Sequence, residues 1–104
     1  MARGRSASPT CCRVTEKALQ EAIVKFARQR GWRVYHTYDS RRSAPGFPDL
    51  VLVRGSKLIF AELKSEKGKV TDEQEGWRSA LSEAEQTYFI WRPNDLERVF
   101  KVLA

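Results

Sequence analysis

The segment DLVLVR-GS-KLIFAELK, residues 49–64, constrains this chain more than any other. Two strand-like runs flank Gly55-Ser56, which suits a two-residue type II′ turn with glycine first. That turn sets a register: Arg54 pairs with Lys57, Val53 with Leu58, and, continuing outward, Asp49 falls opposite Glu62. Both faces of the hairpin are apolar, with Val51, Val53, Leu58 and Phe60 on one and Leu50, Leu52, Ile59, Ala61 and Leu63 on the other. Such strands belong in the middle of a sheet covered by helices on both sides.

The flanking sequence supplies those helices. Leu19, Ala22, Ile23, Phe26 and Ala27 recur at helical spacing, with Thr15 as N-cap and Gly31 as stop, so the first element is a helix over about 15–30. WRVYHTY, from Trp32 to Tyr38, is rich in β-branched and aromatic residues and reads as a strand, and DSRRSAPGFP after it as a loop. Beyond the hairpin, Thr71 and Gln74 form a capping-box pattern that opens a helix to about Glu83. A short strand, TYFIW, spans 87–91, and Leu96, Val99, Phe100 and Leu103 share one face of a last helix begun near Pro93 or Asn94. The expected fold is α/β, a mixed central sheet flanked by helices in the order α-β-β-β-α-β-α.

At 104 residues the chain fits one domain. Residues 1–13 mix Ser, Pro, Gly and Arg without apolar periodicity and read as a flexible basic arm, leaving 14–104 as the domain. No apolar run approaches the roughly 18 residues of a membrane span, and the N-terminus lacks the apolar core of a secretory signal, so a cytoplasmic protein is expected. Adjacent Cys11 and Cys12 are poorly placed for an ordinary disulfide, and a single His gives no zinc-finger spacing. Nineteen Lys and Arg against thirteen Asp and Glu leave a net charge of +6, which favours anionic partners, nucleic acid first.

The hairpin register puts two carboxylates face to face. At roughly 5 Å and an effective dielectric near 20 their repulsion is about 3 kcal/mol. A divalent cation removes it, and Mg²⁺ typically takes one or two carboxylates plus substrate phosphate. The bland alternative is a slipped hairpin, or acids paired with Arg41, Arg42 or Lys64 in solvated ion pairs. Lys64 favours the first reading, because strand alternation points it to the same side as Glu62. A cation there stabilises metal-bound hydroxide and meets charge developing on a phosphate. Two acids and a lysine so placed form a set suited to phosphodiester hydrolysis.

Pro48-Asp49 followed by Glu62-Leu63-Lys64 resembles the PD-(D/E)XK nuclease superfamily, whose fold is restriction-endonuclease-like. The wider pattern is more specific. Gly46-Phe47-Pro48-Asp49-Leu50, Glu62-Leu63-Lys64-Ser65, Gly68, Gln74 and Trp91-Arg92-Pro93 resemble the virus-type replication-repair nuclease (VRR-NUC) domain, from about Thr15 to the C-terminus. The resemblance implies a Mg²⁺- or Mn²⁺-dependent deoxyribonuclease in which Asp49, Glu62 and the Leu63 main-chain carbonyl hold the metal and Lys64 is the catalytic lysine. It also implies site roles for Glu16, on the first helix and a possible further ligand, and for Gln74. Their bland readings are a macrodipole-favoured acid and a capping partner.

Arg41, Arg42, Lys67 and Lys69 flank the motif and are candidate DNA contacts. Trp32, Trp77 and Trp91 read as packing residues, and His36 is assigned no role. By resemblance, stand-alone members of the family act as Holliday junction resolvases, and a homodimer would offer two active sites to symmetric branched DNA. The expected function is therefore a structure-selective endonuclease of phage or bacterial replication and repair. A sequence-specific restriction-type nuclease and a non-catalytic DNA-binding module are the rivals.

Overall fold

The computed structural model describes residues 15–37 and 44–104. The elements run α1 (Glu16–Gln29), β1 (Arg33–His36), β2 (Leu50–Arg54), β3 (Lys57–Leu63), α2 (Asp72–Glu83), β4 (Thr87–Trp91) and α3 (Leu96–Leu103). The strands form one sheet in the order β1-β2-β3-β4, antiparallel at the first two junctions and parallel at β3-β4. This is the expected mixed α/β fold. The last helix begins later than its sequence suggests, because Pro93–Asp95 form a 3-10 turn ahead of it.

Local chemistry accounts for each boundary. Thr15 caps α1 by accepting from the Ala18 amide at 3.0 Å, and Gly31 follows the helix end at φ +88°. Gly55 opens the hairpin turn at φ +60°, where the type II′ geometry requires a residue without Cβ. The resulting ladder pairs Arg54 with Lys57, Val53 with Leu58 and Leu50 with Ala61.

The core lies on one face of the sheet. Leu50, Leu52, Ile59, Ala61, Leu63 and Trp91 meet Leu19, Ile23 and Ala27 of α1 and Val99 and Leu103 of α3. Phe26 stacks on Phe100 at 4.3 Å, joining the two helices. Trp32 is buried and donates its indole N–H to the Leu103 carbonyl at 2.8 Å. Arg54 lies over the Trp32 ring and donates to the carbonyls of Arg30, Leu103 and Ala104, so one guanidinium gathers the ends of both helices.

The opposite face also carries a helix, as expected, but is less fully covered. α2 covers only part of it, and none of its residues is fully buried. Phe47 fills the space beneath α2, edge-on to both Phe60 and Trp77. Away from α2 the same face leaves Tyr35 60%, Val53 38% and Leu58 36% exposed. No described helix is long and apolar enough to cross a membrane.

Candidate active site

The hairpin register, continued one step past the Leu50–Ala61 pair, sets Asp49 across from Glu62 at the open end of the sheet. An Asp49 carboxylate oxygen accepts the Leu63 amide at 2.9 Å, which ties the acid to the strand carrying Glu62. Glu62 is 2% exposed. Its Oε2 accepts from the Gln74 side-chain amide at 2.7 Å and lies 3.9 Å from the Lys64 ammonium. Its Oε1 is buried with no hydrogen-bond partner among the described residues.

Burial, and then the neighbouring negative charge of Asp49, push the Glu62 carboxyl up to about 8, against the opposite pull of Lys64. The two acids thus cannot both ionise cheaply without a counter-charge. A hard divalent cation fits this set, which consists of oxygen donors only, one of them orphaned in the interior. Asp49, Glu62 and the intervening Leu63 carbonyl are the groups that would hold it.

Lys64 is itself only 8% exposed, and its amide donates to the Trp91 carbonyl at 3.0 Å, extending the β3-β4 junction past Leu63. The next turn is held by Arg92, whose guanidinium donates to the carbonyls of Ser65, Glu66 and Gly68 at 2.7, 3.2 and 2.7 Å. A Cβ at Gly68 would stand 3.4 Å from Lys64 Cδ and 3.1 Å from Ser65 Oγ, so the turn closes directly over the lysine stem. Lys67 and Lys69 are exposed on this same loop.

Gln74 occupies both of the positions its sequence suggests. Its Oε1 accepts the Thr71 amide at 2.9 Å, completing the capping box of α2, while its Nε2 reaches Glu62. Glu16 is placed differently. It is exposed and lines a groove of about 870 Å³ together with Asp49 and Leu63. It adds a weak negative influence on Glu62, yet no group of three His, Cys, Asp or Glu is gathered for metal binding among the described residues. Arg41 and Arg42 lie outside the described residues.

Tyr88 carried no weight in the sequence. It pairs with Phe60 and therefore shares the Glu62 face, and its hydroxyl is buried without a partner among the described residues. Burial and then the nearby Glu62 push it up to about 12.

The sequence profile of the VRR-NUC domain matches residues 3–92. The chain belongs to the VRR-NUC domain family. Its nuclease assignment rests on that membership, and the match begins within the stretch read from sequence as an arm. Among solved structures, a VRR_NUC domain protein superposes at a TM-score of 0.66 with 16% identity, over 86% of this chain and 90% of that one. Hjc of Archaeoglobus fulgidus, a Holliday junction resolvase, superposes at 0.50 with 19% identity, over 71% of this chain and 64% of that one. At such identities the likeness concerns the fold. A search of curated proteins gives no match. In this chain Asp49, Glu62 and Lys64 lie together at one end of the sheet.

Proposed function

We propose that this VRR-NUC domain is a divalent-metal-dependent DNA endonuclease that cleaves branched DNA, four-way junctions foremost, in a bacterial or phage-infected cell. The observation that carries the metal-dependent reading is a buried Glu62 with an orphaned oxygen, set across from a part-buried Asp49 and with Lys64 alongside. Mg²⁺ or Mn²⁺, when bound, supplies Lewis acidity that brings a coordinated water's pKa toward neutrality.

The chain's own residues perform the rest. Gln74 holds Glu62 Oε2 in place, leaving Oε1 for a ligand. The Asp49 oxygen that accepts the Leu63 amide fixes that carboxylate's orientation. Lys64, held by the Trp91 carbonyl and the Arg92-braced turn, meets the charge that accumulates on the phosphate during in-line attack. Its burial strengthens that interaction, because little water screens it. Lys67 and Lys69, with Arg41 and Arg42, are proposed phosphate contacts that position DNA without reading its sequence.

A homodimer is proposed on the strength of the exposed Tyr35–Val53–Leu58 strip. Covering it with a second copy would present two sites to a symmetric junction.

The test is cleavage of four-way, flap and linear DNA by the full chain with Mg²⁺ or Mn²⁺. Branched DNA should be cut and EDTA should stop the reaction. Asp49→Asn, Glu62→Gln and Lys64→Ala should each lower the rate at least about 100-fold while binding persists. Full activity in Glu62→Gln would overturn the site. Sequence-dependent cutting of linear duplex would favour a restriction-type enzyme, and binding without cleavage in any metal would favour a non-catalytic module.

A further inference from the structure

The groove that begins at Asp49 and Leu63 continues far past the acidic pair. Its long wall is one face of α1, which carries Lys17, Gln20, Val24, Lys25 and Arg28 in turn. We propose that this groove seats a single DNA strand leading away from the acidic pair, its phosphates held at the far end by Lys25 and Arg28. The proposal rests on the nuclease reading of that pair.

Length fits a strand. At 1.5 Å per helical residue, Glu16 and Arg28 stand about 18 Å apart along the axis. A strand keeping the duplex's 3.4 Å spacing per nucleotide covers that distance in about five nucleotides, and a more extended strand in fewer. The groove's volume of about 870 Å³ falls within the range of small-ligand clefts. A cleft of that size takes one strand, whereas a double helix, with a major groove alone about 12 Å wide, does not fit inside it.

Charge is distributed along the groove in the order a strand would need. The acids Glu16 and Asp49 stand at the end where the cation is proposed, and Lys25 and Arg28 at the other. Glu21 also lines the groove, between Lys17 and Lys25, and forms no ion pair with either among the described residues. Lys25 and Arg28 are exposed and engage no acid among the described residues. Both remain available to phosphate.

The lining also says what kind of contact to expect. Among the described residues no Phe, Tyr or Trp lines the groove, so those residues offer no platform on which bases stack. Recognition falls on the sugar-phosphate backbone and is independent of sequence.

The experiment uses the full chain in EDTA, where binding is read without cleavage. Fluorescence anisotropy would follow junction DNAs carrying a single-stranded arm of zero to eight nucleotides. Wild-type affinity should rise with arm length up to about five nucleotides and then level off. Lys25→Gln/Arg28→Gln should lose that gain, about tenfold, and the logarithmic salt dependence should fall in slope by about 1.4, the value for two single-strand phosphate contacts. In the metal-loaded reaction the same variant should raise KM and keep kcat. An unchanged arm dependence and salt slope in the double variant overturn the groove, even if cleavage is robust. If wild type never cleaves yet the variant loses the arm-dependent gain, the groove stands as a strand-binding site and the nuclease reading alone fails.

Discussion

Gln74 donates to Glu62 at 2.7 Å with one end of its amide and caps the first turn of α2 with the other. The buried acid is therefore fastened to a helix start, and the two roles separate by substitution. Gln74→Glu keeps an acceptor for the Thr71 amide but replaces the donor with a third carboxylate beside Glu62. Gln74→Ala loses both. The alanine variant should cost about 1 kcal/mol in urea unfolding from the lost cap alone. The glutamate variant should stay closer to wild type in stability and yet lose most cleavage activity. Equal activity in Gln74→Glu and wild type would reduce Gln74 to a cap.

That double use explains why sequence alone left Gln74 between two readings. A capping box is local and visible in the chain, whereas a contact to Glu62, twelve residues earlier, depends on how α2 meets the sheet. The hairpin was legible because turn chemistry and strand alternation together fix a register, and Asp49 opposite Glu62 follows from it. Arg92 gave no physical signal because its partners are three backbone carbonyls, which any residue would supply. The partly bare sheet face was missed for a related reason. Apolar strands announce that they can be covered, while α2 is too polar and too short to cover them all.

The elevated Glu62 carboxyl makes stability and metal binding depend on pH. Between its ordinary 4.5 and about 8, Glu62 holds a proton in the folded chain that the unfolded chain releases. The folded-state pKa is raised, so the associated stability is full below about 4.5, declines through that window and levels off above 8. The slope is at most about 1.4 kcal/mol per pH unit. In EDTA the melting temperature should accordingly fall from pH 5 to 8, and Glu62→Gln should flatten the decline. A cation must displace that proton, so Mn²⁺ affinity should rise with pH up to about 8. Calorimetry at pH 6.5 in two buffers of different ionisation enthalpy should register proton release. A Mn²⁺ affinity independent of pH would contradict the coupled pair.

Gly46 sets how closely the Asp49 loop approaches α2. Its φ is +83°, and a Cβ there would fall on the Glu73 carbonyl and within 2.6 Å of the Gln74 amide nitrogen. Gly46→Ala should thus cost about 1–3 kcal/mol in backbone strain alone, and it should push Pro48 and Asp49 away from the helix that carries Gln74. Cleavage assayed well below the variant's melting temperature should still be reduced. A variant that is destabilised but fully active once folded would show that the approach serves packing only.

The exposed strip on the sheet predicts association. Val53 and Leu58 are direct cross-strand neighbours, so one charge between them disrupts the whole patch. Light scattering after size exclusion at micromolar protein should give a dimer for wild type and a monomer for Leu58→Asp. The monomer should retain its fold by circular dichroism and its Mn²⁺ affinity, because Leu58 lies at the turn end of β3 and Glu62 at the other. It should nick a four-way junction on one strand where wild type makes paired cuts. A wild-type monomer that persists on junction DNA removes the two-site arrangement.

Arg92 links β4 to the turn that encloses Lys64, and its effect on the lysine can be separated from its effect on stability. All three bonds to the Ser65, Glu66 and Gly68 carbonyls leave one guanidinium nitrogen, Nη1. Arg92→Lys keeps the charge but ends its side chain one bond short of that position, so the ammonium does not reach the same set. Leaving part-buried carbonyls unsatisfied costs about 1–3 kcal/mol, so the melting temperature should fall. The loosened turn should also release the Lys64 stem that it encloses, lowering kcat more than it raises KM, since Lys64 is proposed to act on charge present only in the transition state. Double-mutant kinetics settle the link. If Arg92 acts through Lys64, Arg92→Lys should slow wild type severalfold yet add little to the loss already caused by Lys64→Ala. Strict additivity of the two losses would mean that Arg92 braces the loop for another purpose.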